Sequence, residues 1–396
     1  MRLSIAVVNQ MSQFSNENDL LGSSAGFFRR LRKGVTDTLQ IPSTTAPSST
    51  DLDSTSSTNS TASSTVSSNN GEVDGPADGS TPIREGDEVC PPVHNYRMQQ
   101  YELILGADNI DLGALRKLSW NGVPYQYRAV VWQLLLGYLP THKGRREQTI
   151  SRKRKEYADA IHNYYEVANL DRDSEMMRQI LVDLPRTSPD LPFFQQGPIQ
   201  KSMERILCIW ATRHPASGYV QGMNDLLTPL LIINLIPYVI NNPLVVNKTH
   251  TISDVLRCDV SGIIEPSVLM HVECDAYWCL TKLLDNIQDH YTDAQPGLQR
   301  MGVRLEDLMK RIDNELHAHF ETEGLLYVQF SFRWMNCLLL RELPLRAILR
   351  VWDTYLSEER GGFENFHVYV CAVLLKTFRD MLLDMPFQDM ILLLQV

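Results

Sequence analysis

Three short stretches of the chain combine hydrogen-bonding or charged residues with tight constraints on the backbone. The first is SGYVQGMNDL, residues 217–226. Gly218 and Gly222 flank Tyr219, Val220 and Gln221, so the chain can turn sharply there and approach another molecule closely. Asn224 or Asp225 can cap the apolar run that follows. Glutamine neither titrates nor attacks, so its chemical use would be to hold something in place. The second is ILVDLPRT, residues 180–187. Pro185 disfavours helical geometry at Leu184, so a helix ends or kinks at that point. Arg186 then leaves the helix end on a constrained backbone, with Asp183 near enough to orient it; taken alone, these residues read better as a local ion pair at a helix terminus. The third is GVPYQYRAVVWQLLLG, residues 122–137, where Arg128 and Trp132 are four apart and share a helix face. Such a pair in an apolar helix organises packing more often than it catalyses.

Self-contained catalysis has no signature here. No phosphate loop, no nucleophile elbow and no H-E-x-x-H pair is present, and no two carboxylates are singled out. Seven cysteines, none spaced C-x-x-C, sit mostly among apolar residues and read as buried thiols rather than a disulfide framework or zinc site. His271, Cys274 and Cys279 read as side chains on a helix, as do His317 and His319. The formal net charge of −10 excludes a general nucleic-acid binder, which needs a basic face.

The elements that position these stretches read as helices. Apolar residues recur at helical spacing at Leu112, Leu115 and Leu118, with Gly122 where that helix can end. The same spacing runs through Ile199, Met203, Ile206, Leu207 and Trp210, and through Trp278, Leu280, Leu284 and Ile287. Residues 333–356 read as two helices divided at Pro344, and 363–383 as one more. SRKRKE, residues 151–156, lies within a further helical pattern and reads as a solvated face. Residues 226–246 carry no charge, but Pro229, Pro237, Pro243 and three asparagines make a buried helix and loop the better reading than a membrane span. Strand alternation is nearly absent. The expected fold is all-α, with about a dozen helices over residues 96–396. Residues 1–95 read as mostly disordered, because Ser and Thr fill 18 of the 28 positions of the linker 43–70 and bury little apolar surface. GFFRRLRKGV, residues 26–35, reads as a basic amphipathic helix on an anionic membrane or as a basic patch with no partner.

In order and spacing the three stretches resemble the signature of TBC-domain Rab GTPase-activating proteins. The family pattern R-x-x-x-W-x-x-L-L-G meets Arg128, Trp132, Leu135, Leu136 and Gly137. I-x-x-D-x-x-R meets Ile180, Asp183 and Arg186, and Y-x-Q-G meets Tyr219, Gln221 and Gly222. Arg341, Glu342, Leu343 and Pro344, leading to Trp352 and Asp353, are similar to a later family feature. The wording HPASGYVQGMNDL and FRWMN looks closest to a Golgi-associated branch, which holds the twenty-second numbered mammalian member and its yeast relatives. The resemblance covers roughly residues 100–396.

It implies a single large helical domain, a V-shaped, two-lobed helical array. It implies an activator rather than an enzyme with its own active site. Arg186 would enter the nucleotide site of a GTP-bound Rab as an arginine finger, and Gln221 would orient the attacking water. Asp183, Tyr219, Gly222, Asn224, Arg128 and Trp132 would support those loops. No cofactor is implied for this chain, since GTP and magnesium are carried by the GTPase. Further expectations are regulation of vesicle trafficking, a cytoplasmic location peripheral to Golgi or endosomal membranes, and adaptor or phospho-dependent partners for the Ser/Thr-rich linker. The family domain also continues past FQDMILLLQV with a short loop and one more helix, which this sequence lacks. A catalytically silent scaffold that binds Rabs or Golgi adaptors is the alternative.

Overall fold

The computed structural model describes residues 92–166, 174–240, 252–257, 259–359 and 361–395. The linker, the basic stretch 26–35, Cys90 and Cys258 lie outside the described residues. Among those described there is no strand, only one isolated bridge between Asn109 and His142. The expected all-α class holds, with more helices than the dozen foreseen. They are α1 Pro92–Gly106, α2 Leu112–Ser119, α3 Tyr125–Leu135, α4 Arg146–Ile161, α5 Glu175–Asp183, α6 Gly197–Arg213 and α7 Met223–Ile240. Then follow α8 Ile252–Arg257, α9 Val260–Ile263, α10 Pro266–Asn286, α11 Pro296–Ile312, α12 Asn314–Glu323 and α13 Tyr327–Asn336. The last are α14 Leu345–Ser357, α15 His367–Thr377, α16 Arg379–Leu383 and α17 Phe387–Leu394.

Packing divides these helices into two groups. In one, α7 lies at the centre, against α3, α6, α8 and α10, and α6 also touches α5. In the other, α11 is central, against α12, α13 and α15, with α17 packed on α13. Helix α14 contacts α2, α3 and α7, and it reaches the second group through the turn Gly362–Phe366, which packs on α14, α11 and α15. The cores of both groups form one continuous apolar cluster.

The uncharged run after residue 225 is a helix buried from Met223 to Val239, as the sequence led one to expect. It passes through Pro229 and Pro237 without ending. A proline in mid-helix removes one backbone hydrogen bond, and burial of nearly every side chain holds the helix together regardless. Among the described residues no helix is long and apolar enough to cross a membrane.

Four expectations about elements need correction. The helix beginning at Leu112 ends at Ser119, and Gly122, with φ of +103°, belongs to the turn beyond it. A Cβ at Gly122 would come within 2.8 Å of Arg350 Nε, so glycine lets the turn close onto α14. The division between α13 and α14 is a loop of eight residues rather than a break at Pro344. The chain leaves α13 at Asn336 because Leu338 and Leu339 adopt left-handed φ of 50° and 61°, which a right-handed helix cannot contain. Residues 363–383 form a wide turn, α15 and α16 in place of one helix. Finally, the 151–156 face of α4 is only partly solvated. Lys153 Nζ lies 3.5 Å from the centroid of the Trp278 ring, and Arg154 pairs with Asp275 at 2.9 Å.

Candidate functional site

The site begins at the end of α5. Ser174 caps this helix, its hydroxyl accepting from Met177 N. Met177, Ile180 and Asp183 point inward, toward α6. The last helical turn tightens into a 3-10 turn, Leu184–Arg186, with Pro185 at its first positions. The turn fits the sequence: proline cannot donate the hydrogen bond that a further α-helical turn would need. Leu184 is buried while Pro185 and Arg186 are exposed. Thr187 closes the turn, its hydroxyl donating to the Asp183 carbonyl at 3.0 Å, and Gln195 Nε2 donates to the Thr187 carbonyl at 3.1 Å.

The second loop connects α6 to α7. Gly218 and Gly222 take φ of +61° and +106°, in the region that favours glycine. At Gly222 a side chain is also excluded by space, since a Cβ would sit 2.5 Å from Asn336 Nδ2. That same amide nitrogen donates to the Gln221 carbonyl at 2.9 Å, so Asn336, at the end of α13, fixes the backbone that carries Gln221. The Gln221 side chain is exposed. Among the described residues none bonds to its amide or to the Arg186 guanidinium.

A buried polar network joins the two loops. The Tyr219 hydroxyl lies 2.8 Å from Asp183 Oδ2 and 3.1 Å from Asn224 Oδ1. It has one hydrogen, and the shorter, charge-assisted bond to the carboxylate is the stronger of the two. Burial pushes the Tyr219 phenol far above its usual range, so it remains a donor at any physiological pH. Asn224 Oδ1 also accepts from Gly222 N at 3.0 Å, and Asn224 Nδ2 donates to Thr187 Oγ1 at 2.9 Å. Asp183 takes a further bond from Gln179 Nε2 at 3.1 Å. A third element is tied in through Asp225, which pairs with Arg341 at 2.8 Å and accepts from the Cys337 thiol at 3.6 Å. Burial raises the Asp225 carboxyl above the usual carboxylate range, against the lowering pull of Arg341.

The structure therefore brings together Asp183, Arg186, Tyr219, Gly222 and Asn224, with Gln221 on the same loop. It also revises several roles. Asp183 does not reach toward Arg186; its carboxylate faces Tyr219 and Gln179, so it joins the loops instead of aiming the arginine. Neither Asn224 nor Asp225 caps α7 from outside, because both lie in its first turn with side chains committed to Gly222, Thr187 and Arg341. Arg128 and Trp132 stand apart from the two loops. Both bind Asp353 of α14: Arg128 Nη2 at 3.0 Å and Trp132 Nε1 at 2.7 Å, with Val123 N adding a third bond at 2.8 Å. The Trp132 and Trp352 rings stack with centroids 5.8 Å apart. These residues lock α3 to α14, and they bear on the loops only through α7, which both helices touch.

Thr187, Gln179 and Asn336 were not singled out in the sequence. Thr187 carries a signal of sorts, as the hydroxyl residue directly after Arg186. Asn336 had only its place in FRWMN. No cluster of three His, Cys, Asp or Glu able to hold a metal ion occurs among the described residues. The five described cysteines are buried and unpaired, and burial pushes the Cys208 thiol up to about 11, which leaves it a poor nucleophile.

Residues 125–383 match the Rab-GTPase-TBC domain family. TBC1 domain family member 22B of Homo sapiens is 48% identical over 300 residues, covering 76% of this chain and 57% of that protein. The GTPase-activating protein gyp1 of Schizosaccharomyces pombe is 44% identical over 301 residues, covering 76% of this chain and 56% of that protein. The chain thus spans little more than half the length of these curated relatives. Among solved structures, the Ypt/Rab-GAP domain of Gyp1p superposes with a TM-score of 0.70 at 44% identity, over 76% of this chain and 91% of that one. The Chlamydomonas flagellar RabGAP TBC domain shares the fold at 19% identity, with a TM-score of 0.51. The matched span takes in both loops, α3 and α14, and the chain belongs to the Rab-GTPase-TBC domain family.

Proposed function

We propose that the chain is a GTPase-activating protein for a Rab-family GTPase and that it supplies Arg186 and Gln221 in trans. One observation carries this reading: two exposed polar side chains with no partner among the described residues stand on loops that a buried network joins into one frame. Free polar groups on rigid supports suit a task performed on another molecule, because little ordering remains to be done on contact. Arginine stays charged and its planar fork bonds phosphate oxygens in pairs, so it neutralises charge that develops between the β- and γ-phosphates. The glutamine amide both accepts and donates, which lets it hold a water in line with the γ-phosphate. Neither role needs a shifted pKa. Nucleotide and magnesium belong to the GTPase, and this chain contributes no cofactor.

An arginine finger supplied in trans is worth roughly 10³–10⁵ in rate, the upper figure corresponding to about 7 kcal/mol of barrier. The test is single-turnover GTP hydrolysis by a panel of purified Rabs mixed with the full chain. We expect one or a few Rabs to be accelerated, and Arg186→Ala to abolish about 10³ or more of that acceleration. Gln221→Ala is expected to act in the same direction. Binding of a GTP-loaded Rab without faster hydrolysis would overturn the catalytic reading and leave a scaffold. The resemblance to the Golgi-associated branch supports action on the cytoplasmic face of Golgi or endosomal membranes, which imaging of the tagged chain would check.

A further inference from the structure

Helix α5 is apolar on two sides. Met177, Ile180 and Leu184 are buried, at 1%, 0% and 4% exposure. Yet Leu181 and Val182, on the opposite side, are 42% and 47% exposed. An amphipathic surface helix ordinarily turns polar residues outward. Here the outward positions 178, 181 and 182 follow the i, i+3, i+4 spacing of a single helix face, and exposed Pro185 and Arg186 continue from it in the 3-10 turn. That strip reads Arg, Leu, Val, Pro, Arg. It runs without interruption from two exposed aliphatic side chains, over exposed Pro185, to Arg186.

Position fixes what covers this strip. Val182 stands in the last turn of α5, and Pro185 and Arg186 follow it in the 3-10 turn, which places all three within about one turn of chain. A partner that takes the Arg186 guanidinium into its nucleotide pocket brings the rim of that pocket against exposed Pro185, its chain neighbour, and toward exposed Val182 just before it. Water would otherwise be trapped against two aliphatic side chains and beside the charge being neutralised. We infer that Leu181, Val182 and Pro185 form an apolar docking strip for an apolar patch on the GTP-bound GTPase beside its nucleotide site. The strip sets affinity for that partner, while Arg186 sets turnover. This inference rests on the function proposed above.

The aliphatic contacts exist equally before and during hydrolysis, so their loss weakens ground-state and transition-state binding alike. Such a loss raises KM and leaves kcat nearly unchanged. The test uses the full chain with whichever Rab it accelerates, comparing wild type, Leu181→Ser with Val182→Ser, Val182→Ile, Arg186→Ala, and Leu103→Ser as an exposed apolar control on α1 (71% exposed). The double variant is expected to raise KM about tenfold or more, with kcat within about twofold. Val182→Ile should keep KM near wild type, Leu103→Ser should change neither constant, and Arg186→Ala should lower kcat instead. Circular dichroism establishes that each variant is folded.

An unchanged KM in the double variant, or a fall in kcat alone, overturns the strip while the catalytic reading stands. Direct binding to Rabs loaded with a non-hydrolysable GTP analogue separates the remaining cases. If wild type binds without accelerating, the catalytic reading fails. The strip then stands only if the double variant loses that binding, and falls if it binds as wild type does. If no Rab binds the folded wild type, both fall.

Discussion

At the scale of single residues, the proposed function gives Tyr219 more to do than an ordinary loop tyrosine. Its hydroxyl touches both the end of α5, through Asp183, and the start of α7, through Asn224, and the Thr187 hydroxyl makes a second link between the same two residues. Removing it with Tyr219→Phe leaves the ring in place and Asp183 still bonded to Gln179. A hydrogen bond to a charged group contributes about 1.5–3 kcal/mol, so unfolding stability should fall by about 2 kcal/mol. The catalytic effect is expected to be distinct. With only the Thr187 link left between the loops, Arg186 and Gln221 are held less firmly relative to one another, and under the proposed function such misplacement lowers the rate steeply. Tyr219→Phe should lower kcat for the activated Rab by about tenfold while changing KM little. Urea unfolding and single-turnover kinetics on the same preparation would check both. A variant that loses stability but keeps full kcat would mean that the frame's rigidity is not used in the reaction.

At the scale of elements, the sequence was legible wherever the determinant is local. Pro185 announced the end of α5, Gly218 and Gly222 the tight loop, and helical spacing most of the helices. Partners were legible only where they are close along the chain. The bonds between Arg128 and Asp353 span 225 positions, and nothing at either end names the other. The same holds for Asn336 and Gln221, and it explains why Asp183 seemed to serve Arg186, three residues away, when its partner Tyr219 lies 36 positions further on. The break after Asn336 was hidden for a different reason: leucines rarely adopt positive φ, and only full burial of Leu338 and Leu339 compensates that strain. The Asp353 cluster allows a prediction at this scale. Asp353→Ala would take the carboxylate from the buried Arg128 guanidinium, which keeps only the Val123 carbonyl, and would leave Trp132 Nε1 and Val123 N without their acceptor. Breaking a buried pair from one side costs about 3–5 kcal/mol. Denaturant unfolding should show a loss of that size, because α14, through the turn Gly362–Phe366 packed on it, connects the two groups. A loss below about 1 kcal/mol would mean that water replaces the carboxylate at this contact.

At the scale of the whole molecule, two buried histidines near the second group of helices make stability depend on pH. His290 is fully buried, and neither ring nitrogen has a hydrogen-bond partner among the described residues. Burial lowers its pKa to about 4, with Arg300 adding to the fall while Asp289 and Glu364 oppose it. His367, also fully buried, lies between the Tyr355 hydroxyl at 2.8 Å and the Trp334 carbonyl at 3.1 Å. Burial takes its pKa to about 3, the Trp334 carbonyl opposing and His290 reinforcing the shift. Above the usual histidine pKa, near 6.5, folded and unfolded chains both hold these rings neutral and the two contribute nothing. As pH falls below that value the unfolded chain takes up protons that the fold refuses, so stability declines until the folded pKa is reached. For His290 the 2.5 units between 6.5 and 4 correspond to about 3 kcal/mol. The two rings repel each other once charged, so their contributions are not additive. Buried Asp225 and Glu342, whose carboxyls burial raises, act in the opposite sense and partly offset the decline. The informative quantity is therefore the difference between wild type and His290→Leu, followed by urea unfolding from pH 7.5 to 4.5. The wild type should lose about 2–3 kcal/mol more than the variant over that interval. Parallel profiles would show that His290 gains a proton, or a water, in the folded state at mildly acid pH.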